Sequence, residues 1–207
     1  MKNIVTIDFD IIMGPDINLY NDWVEGDLGI NDYVNKHKIL ENLKADLYSY
    51  EYLTRFLMKA IQKVNAQNMY FIESHETITK FLNANAVNLW NIDHHHDIFY
   101  QGEEEVTLPL LTCTCGNWVK YLIDKKKIRK YTWIGNDNSI EPDDEVKKHY
   151  SYEQKMLKET NLDKLADEAD MLFICRSPEW VPEYYFPLFD AWIAICEEYY
   201  KESFHII

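Results

Sequence analysis

Five short apolar runs recur along the chain, and each of them ends in polar residues. They span residues 3–8, 68–72, 87–92, 131–134 and 171–175. A nearly continuous apolar run is typical of a strand that is covered on both faces, as in a parallel sheet between two layers of helices. The pattern therefore predicts five buried strands.

Amphipathic segments lie between these runs. From Leu47 to Val64, apolar residues recur at steps of three and four, which predicts a helix of about five turns with one apolar stripe. A second helix is indicated around Trp118 and Leu122, and a third over 189–200. Strands that alternate with helices indicate an α/β fold, a three-layer sandwich with a mostly parallel sheet.

The chain length of 207 residues fits one domain, 1–207, with a sizeable core. One segment, 14–37, contains Gly, Asp and Asn but shows no strong periodicity. Because it is long for a simple connection, we interpret it as a loop that covers the substrate.

The charge balance narrows the classes of partner. Lys and Arg total 21 against 35 Asp and Glu, a formal net charge of -14, which argues against a nucleic-acid-binding surface. An acidic protein suits a cationic substrate or bound metal ions. The sequence contains no apolar run long enough for a membrane span and no apolar signal segment at its start. Four cysteines without C-x-x-C spacing indicate reduced thiols, so the expected compartment is the cytoplasm.

Side chains that can bind a metal follow three of the predicted strands, at the point where each strand ends. The carboxyl ends of parallel strands meet at one edge of a sheet, so these side chains are expected to converge. Mixed carboxylate and imidazole ligands suit manganese, iron or zinc, and two divalent cations would offset the charge of four carboxylates. The predicted ligands are Asp8, Asp10, His75, Asp93, His95 and Asp97.

The spacing within the third group carries further information. In extended backbone, alternate side chains share a face of the strand. Asp93, His95 and Asp97 are therefore expected to point together, whereas His94 and His96 point the other way.

These residues resemble the metal-binding motifs of the ureohydrolases, the arginase and agmatinase superfamily. The D-x-H-x-D motif is matched by residues 93–97, and S-x-D-x-D by residues 6–10 with Thr6 in the Ser position. His75 takes the place of the isolated upstream His of the family. The D-x-D strand comes late in arginases and first here. This order looks more like that of compact, permuted arginase-related proteins, which include peptide arginases.

The resemblance implies an arginase-like fold and a binuclear manganese site. A hydroxide shared between the two ions would attack the guanidinium carbon of arginine, free or within a peptide, to give ornithine and urea. Asp97 would orient this hydroxide, and His94 and His96 are candidate proton donors to the leaving amine. The implied ligand sets are His75 and Asp97 for one ion and His95 and Asp10 for the other, with Asp93 and Asp8 bridging.

Two further residues are candidates for substrate binding. Glu179 follows the last predicted strand and could pair with a guanidinium, although an acidic residue is also typical of the first turn of a helix. Asn117 could offer its amide to the substrate, or it could cap the helix that begins after it.

Two other readings of the same residues remain open. Phosphoesterases with an Asp-His-His motif also combine an early D-x-D with a later D-H-H, and Asp93, His94 and His95 match that pattern. In that case His94 would be a ligand and the substrate a phosphodiester. The second alternative is a structural metal centre without catalysis, which usually saturates one ion with four ligands.

Overall fold

The computed structural model describes residues 2–14, 43–82, 86–99, 110, 112–178, 180–201 and 203–207. Apart from Gly14, the segment 14–37 lies outside these residues, and so does Glu179. The substrate-covering loop and the pairing of Glu179 with a guanidinium therefore stay predictions.

Within the described part of the chain, seven strands form one sheet, and every neighbouring pair of strands runs parallel. The strand order is β5-β4-β3-β1-β6-β2-β7. The parallel sheet predicted from the apolar runs is confirmed. The strands are β1 (Asn3–Asp8), β2 (Met69–Ile72), β3 (Val87–Ile92), β4 (Ile128–Gly135), β5 (Glu153–Met156), β6 (Met171–Cys175) and β7 (His205–Ile206).

The described residues include five α-helices, which lie between the strands along the chain. The longest, α1, begins after Asp46, whose side chain accepts a hydrogen bond from the Tyr48 backbone N–H and so satisfies one of the free donors of the first turn. None of the described helices is both long and apolar enough to cross a membrane. The helices are α1 (Leu47–Ala60), α2 (Trp118–Asp124), α3 (Asp144–His149), α4 (Leu162–Glu168) and α5 (Phe186–Tyr200).

Different helices cover the two faces of the sheet. Along β1 the side chains alternate, so Val5 packs in one core cluster with Leu53 of α1 and with residues of α4 and α5. Ile4 packs in the other cluster, together with Trp118 of α2 and Val146 of α3. These two clusters on opposite faces of one sheet confirm the α/β three-layer sandwich.

The elements missing from the predictions are short or polar. Strand β5 has the sequence EQKM and, among the described strands, pairs with β4 alone at an edge of the sheet, so it lacks the apolar run of a buried strand. Strand β7 has two residues. Helices α3 and α4 have six and seven residues, too few to show a clear helical period. Helix α1 ends at Ala60 and is four residues shorter than its apolar stripe, because residues 61–64 form turns.

The order of the central strands decides where the polar strand ends meet. Strand β1 lies between β3 and β6, and β2 lies next to β6. Because all four run parallel, the residues that follow them emerge at one edge of the sheet, where open α/β sheets bind their ligands.

Candidate metal centre

The structure brings all six predicted ligands together at this edge. Asp8 is the last residue of β1, and Asp10 lies in the 3-10 turn that follows it. His75 begins the 3-10 turn after β2, and Asp93 follows β3 directly. Every one of the six is buried except His95, whose side chain is 14% exposed.

Three carboxylates surround one nitrogen of His75. Its Nδ1 lies 3.2 Å from Asp8 Oδ2, 3.3 Å from Asp93 Oδ2 and 3.5 Å from Asp97 Oδ2. The other ring nitrogen, Nε2, is 2.7 Å from the Thr6 hydroxyl, which fixes the orientation of the ring. A single N–H cannot serve three oxygens well, whereas ligands around a shared cation adopt this convergence. We call His75, Asp8 and Asp97 the His75 half of the centre.

A second convergence surrounds His95. Its Nδ1 lies 2.9 Å from Asp10 Oδ2 and 3.8 Å from Asp93 Oδ1. Asp10 is fully buried, and apart from the nearby His95 nitrogen its Oδ2 has no well-aligned hydrogen bond from the described residues. A buried carboxylate oxygen without a well-aligned hydrogen bond is costly unless a cation compensates it. We call His95 and Asp10 the His95 half.

Asp93 joins the two halves. Its Oδ2 faces His75, and its Oδ1 faces His95. Each half therefore offers a set of donor atoms that lie within 4.8 Å of one another, and Asp93 belongs to both sets. The two sets of donor atoms belong to His75, Asp93 and Asp97 on one side and to Asp10, Asp93 and His95 on the other. The buried Asp and His side chains can therefore hold a metal ion.

Hydrogen bonds from neighbouring side chains orient the carboxylates. The Ser177 hydroxyl donates to Asp8 Oδ2 at 2.5 Å, and Trp118 Nε1 donates to Asp97 Oδ2 at 2.6 Å. Asn91 Nδ2 donates to Asp93 Oδ2 at 3.0 Å. Such outer partners fix ligand geometry in metal sites.

Sequence reasoning missed the three donors of these hydrogen bonds. Ser177 offered a signal, because it follows the end of a central strand as the ligands do. Its backbone has a φ of 49°, and Asp97 has a φ of 52°, a left-handed conformation that is uncommon for residues other than Gly. Such strained residues cluster at functional sites.

The charge distribution of the centre also fits a cation. Burial, together with neighbouring carboxylates, raises the pKa of Asp8, Asp10 and Asp97. Burial lowers the pKa of His75, but the carboxylates of Asp8 and Asp93 outweigh this effect and raise it overall. Without a metal, the ionised forms of these three buried carboxylates are therefore disfavoured. Divalent ions would balance the buried negative charge, and mixed oxygen and nitrogen donors suit manganese, iron or zinc.

His94 and His96 lie outside the ligand sets. The His94 backbone N–H donates to Asp10 Oδ1 at 3.4 Å, and His96 Nδ1 accepts from the Ile98 backbone N–H at 3.1 Å. The extended backbone expected here is wrong, because β3 ends at Ile92 and residues 93–95 form bends. Bends, not strand alternation, separate the two imidazoles from the ligands.

The electrostatics do not favour His94 and His96 as proton donors. Burial and the nearby His95 lower the pKa of both to about 3. Both rings are therefore neutral near pH 7, and a bound cation would disfavour their protonation further.

Asn117 has a structural partner. It is buried, and its Oδ1 accepts a hydrogen bond from the Thr114 backbone N–H at 2.8 Å. This bond closes the turn before α2, and the side chain makes no capping hydrogen bond to the helix. Its carbonyl oxygen is therefore engaged within the chain.

Comparison of the chain with protein-family models, with curated proteins and with solved structures finds no match. The fold and the site define the class: a three-layer α/β protein with buried carboxylate and imidazole groups that can hold a metal ion. Because one fold hosts many activities, the function has to be argued from the site itself.

Proposed function

We propose that the protein is a binuclear-metal hydrolase, similar to arginases, that hydrolyses a guanidino group. The observation that carries this proposal is the position of Asp93. Each of its carboxylate oxygens faces a different half of the centre, and a carboxylate shared in this way is suited to bridging two cations.

The proposed ions are manganese. His75 and Asp97 would hold one, and His95 and Asp10 the other, with Asp93 and Asp8 between them. When bound, two such ions lower the pKa of water and so supply a nucleophile at neutral pH. The Trp118 N–H fixes one oxygen of Asp97, so this carboxylate would be held in place to orient the attacking water.

The proposed substrate is arginine, free or within a peptide, and the products are ornithine and urea. The acidic chain as a whole attracts cations and repels anions, which favours a guanidinium over a phosphodiester. Trp180 lies beside the partly exposed His95, with 4.8 Å between their ring centroids. An indole face at the open side of the centre suits a guanidinium, because planar cations stack on aromatic rings.

The alternatives fit the site less well. An Asp-His-His phosphoesterase needs His94 as a ligand, yet His94 belongs to none of the donor sets found in the described residues. A structural centre usually surrounds one ion with four ligands, whereas here two of the donor sets in the described residues share Asp93 and so place two ion positions side by side.

A urea assay tests the proposal. Metal-free protein is reloaded with manganese and given an arginine-containing peptide or free arginine. We expect urea release, about two ions per chain, and loss of both properties in Asp93→Asn, because one amide oxygen cannot bridge two cations. Asp170→Asn is the matched control. Asp170 accepts a hydrogen bond from the Asn3 backbone N–H at the opposite edge of the sheet, so its replacement should change neither urea release nor the number of bound ions.

Two outcomes would overturn the proposal. Hydrolysis of a phosphodiester without urea release would favour the phosphoesterase. One tightly held zinc ion per chain, with neither activity, would favour the structural centre.

A further inference from the structure

A third set of donor atoms shares His75 with the centre and contains a thiol. Asp8, His75 and Cys175 each offer an atom within 4.8 Å of the others, and all three residues are buried. The motifs that resemble the ureohydrolases include no cysteine, so the proposed function does not use this thiol.

The sheet places this thiol beside the centre. Asp8 and Cys175 are direct partners in the parallel strands β1 and β6, so their side chains stand side by side on one face of the sheet. Cys175 Sγ lies 3.3 Å from the hydroxyl of Ser177, which in turn donates to Asp8. The thiol therefore belongs to the hydrogen-bonded surroundings of a proposed ligand.

His75 thus lies between two different donor sets. On one side are the oxygens of Asp93 and Asp97, and on the other are Asp8 and the sulfur of Cys175. Oxygen-rich sites suit manganese, whereas a thiolate favours zinc, cobalt or cadmium. A choice between hard and soft donors at one imidazole gives the site a chemical means of distinguishing these ions.

We propose that Cys175 is a ligand for thiophilic divalent ions, which bind through Asp8, His75 and Cys175. The thiol releases its proton to solvent as the ion binds. This inference rests on the proposed metal function of His75, and its consequence is that zinc competes with manganese for the His75 half.

Cobalt absorption tests the proposal. The part-exposed Cys113 and Cys115 are first replaced by serine, because they could bind cobalt themselves. Cobalt(II) added to this metal-free protein should produce a near-ultraviolet sulfur-to-cobalt charge-transfer absorption that saturates at one ion per chain. The additional change Cys175→Ser should abolish it, whereas Cys196→Ser should not, because Cys196 is equally buried but packs in the opposite layer.

A second measurement detects the sulfur of Cys175 directly, in a protein that keeps this residue. X-ray absorption of the zinc-loaded Cys113→Ser/Cys115→Ser protein should show one sulfur neighbour at about 2.3 Å, the usual Zn–S distance. If Cys175→Ser folds, its zinc affinity should fall by more than ~100-fold, the upper range of what the loss of an outer partner costs. Its manganese affinity should fall by less than its zinc affinity, because the serine hydroxyl keeps an oxygen donor beside Asp8.

The outcomes separate this inference from the proposed function. A sulfur-to-cobalt absorption that depends on Cys175 supports the inference even if no urea is released. Urea release without sulfur coordination of zinc overturns the inference and leaves the proposed function intact. Charge-transfer absorption that persists in Cys175→Ser also overturns it.

Discussion

The two halves of the candidate centre differ in how firmly their ligands are held. In the His75 half, the imidazole is 2% exposed and bonds to Thr6, and the carboxylate of Asp97 accepts from Trp118. In the His95 half, the imidazole is partly exposed, and one oxygen of Asp10 has the nearby His95 nitrogen but no well-aligned hydrogen bond from the described residues.

This difference indicates a division of tasks. Ligands that are held in place before the ion arrives lose less conformational freedom on binding, so the His75 half should bind its ion more tightly. The partial exposure of His95 would suit contact with the proposed substrate and with water. In the proposed centre, a more enclosed position beside a more exposed one would allow one ion to anchor the site while the other meets the substrate.

Removing one imidazole from each half should have the largest effect. We expect His95→Ala to retain about one tightly bound manganese, because the His75 half keeps all its ligands and their hydrogen bonds. His75→Ala should weaken the tight site by more than ~100-fold, the upper range for outer partners, since three carboxylates lose their shared nitrogen.

Calorimetric titration of the metal-free variants measures this contrast, and circular dichroism checks that both variants fold. Equal loss of manganese in His75→Ala and His95→Ala would remove the distinction between the halves. A single tight site that survives in His75→Ala would reverse it.

Loss of one indole hydrogen bond should have an intermediate effect. Trp118→Phe keeps an aromatic ring against His75 but removes the N–H that holds Asp97 Oδ2, so we expect manganese affinity of the tight site to fall by about 10–100-fold. Trp192→Phe is the matched control: this buried indole donates a bond of 2.8 Å to Thr54 in the opposite layer.

Titration of both tryptophan variants with manganese gives the result. Equal manganese affinities of Trp118→Phe and the unaltered protein would mean that the Trp118 hydrogen bond to Asp97 does not contribute to manganese binding. An equal loss in Trp192→Phe would point to a general effect on stability.

The fold and the convergence of the candidate ligands can be predicted from the sequence, because both depend on local patterns. The apolar runs that became β1, β3 and β6 were predicted with their observed bounds, since strands buried on both faces are continuously apolar. The ligands follow such strands directly. Parallel strand ends share an edge, so their convergence could be predicted without tertiary information.

The hydrogen bonds that support the ligands could not be predicted in this way. Trp118 reaches Asp97 from the start of a helix, and Ser177 reaches Asp8 across 169 positions of the chain. Neither hydrogen bond produces a periodic pattern in the sequence, because each depends on how a helix or turn packs against the sheet. The exposure of His95 likewise depends on how the neighbouring side chains pack around it.

The smallest expected effect concerns the stability that the metal-free protein loses by burying the Asp10 carboxylate in the His95 half. Burial and the nearby Asp93 raise the pKa of Asp10, so at neutral pH its ionised form destabilises the metal-free fold. We expect Asp10→Asn to raise the metal-free free energy of unfolding by ~1 kcal/mol, the usual gain from relieving a functional site. For a chain of this size, that corresponds to a rise in Tm of about 2–4 °C.

The pH dependence identifies the cause of this gain. Because the pKa of Asp10 is raised in the folded state, the penalty grows as pH rises above the ordinary carboxyl value of 3.8. Below that value Asp10 is protonated in both states, and the gain should vanish. Asp170→Asn, at the opposite edge of the sheet, should change stability by less than ~0.5 kcal/mol. Thermal melts at several pH values measure the stability of both variants. An Asp10→Asn protein with a lower Tm without metal would show that the Asp10 carboxylate does not destabilise the His95 half.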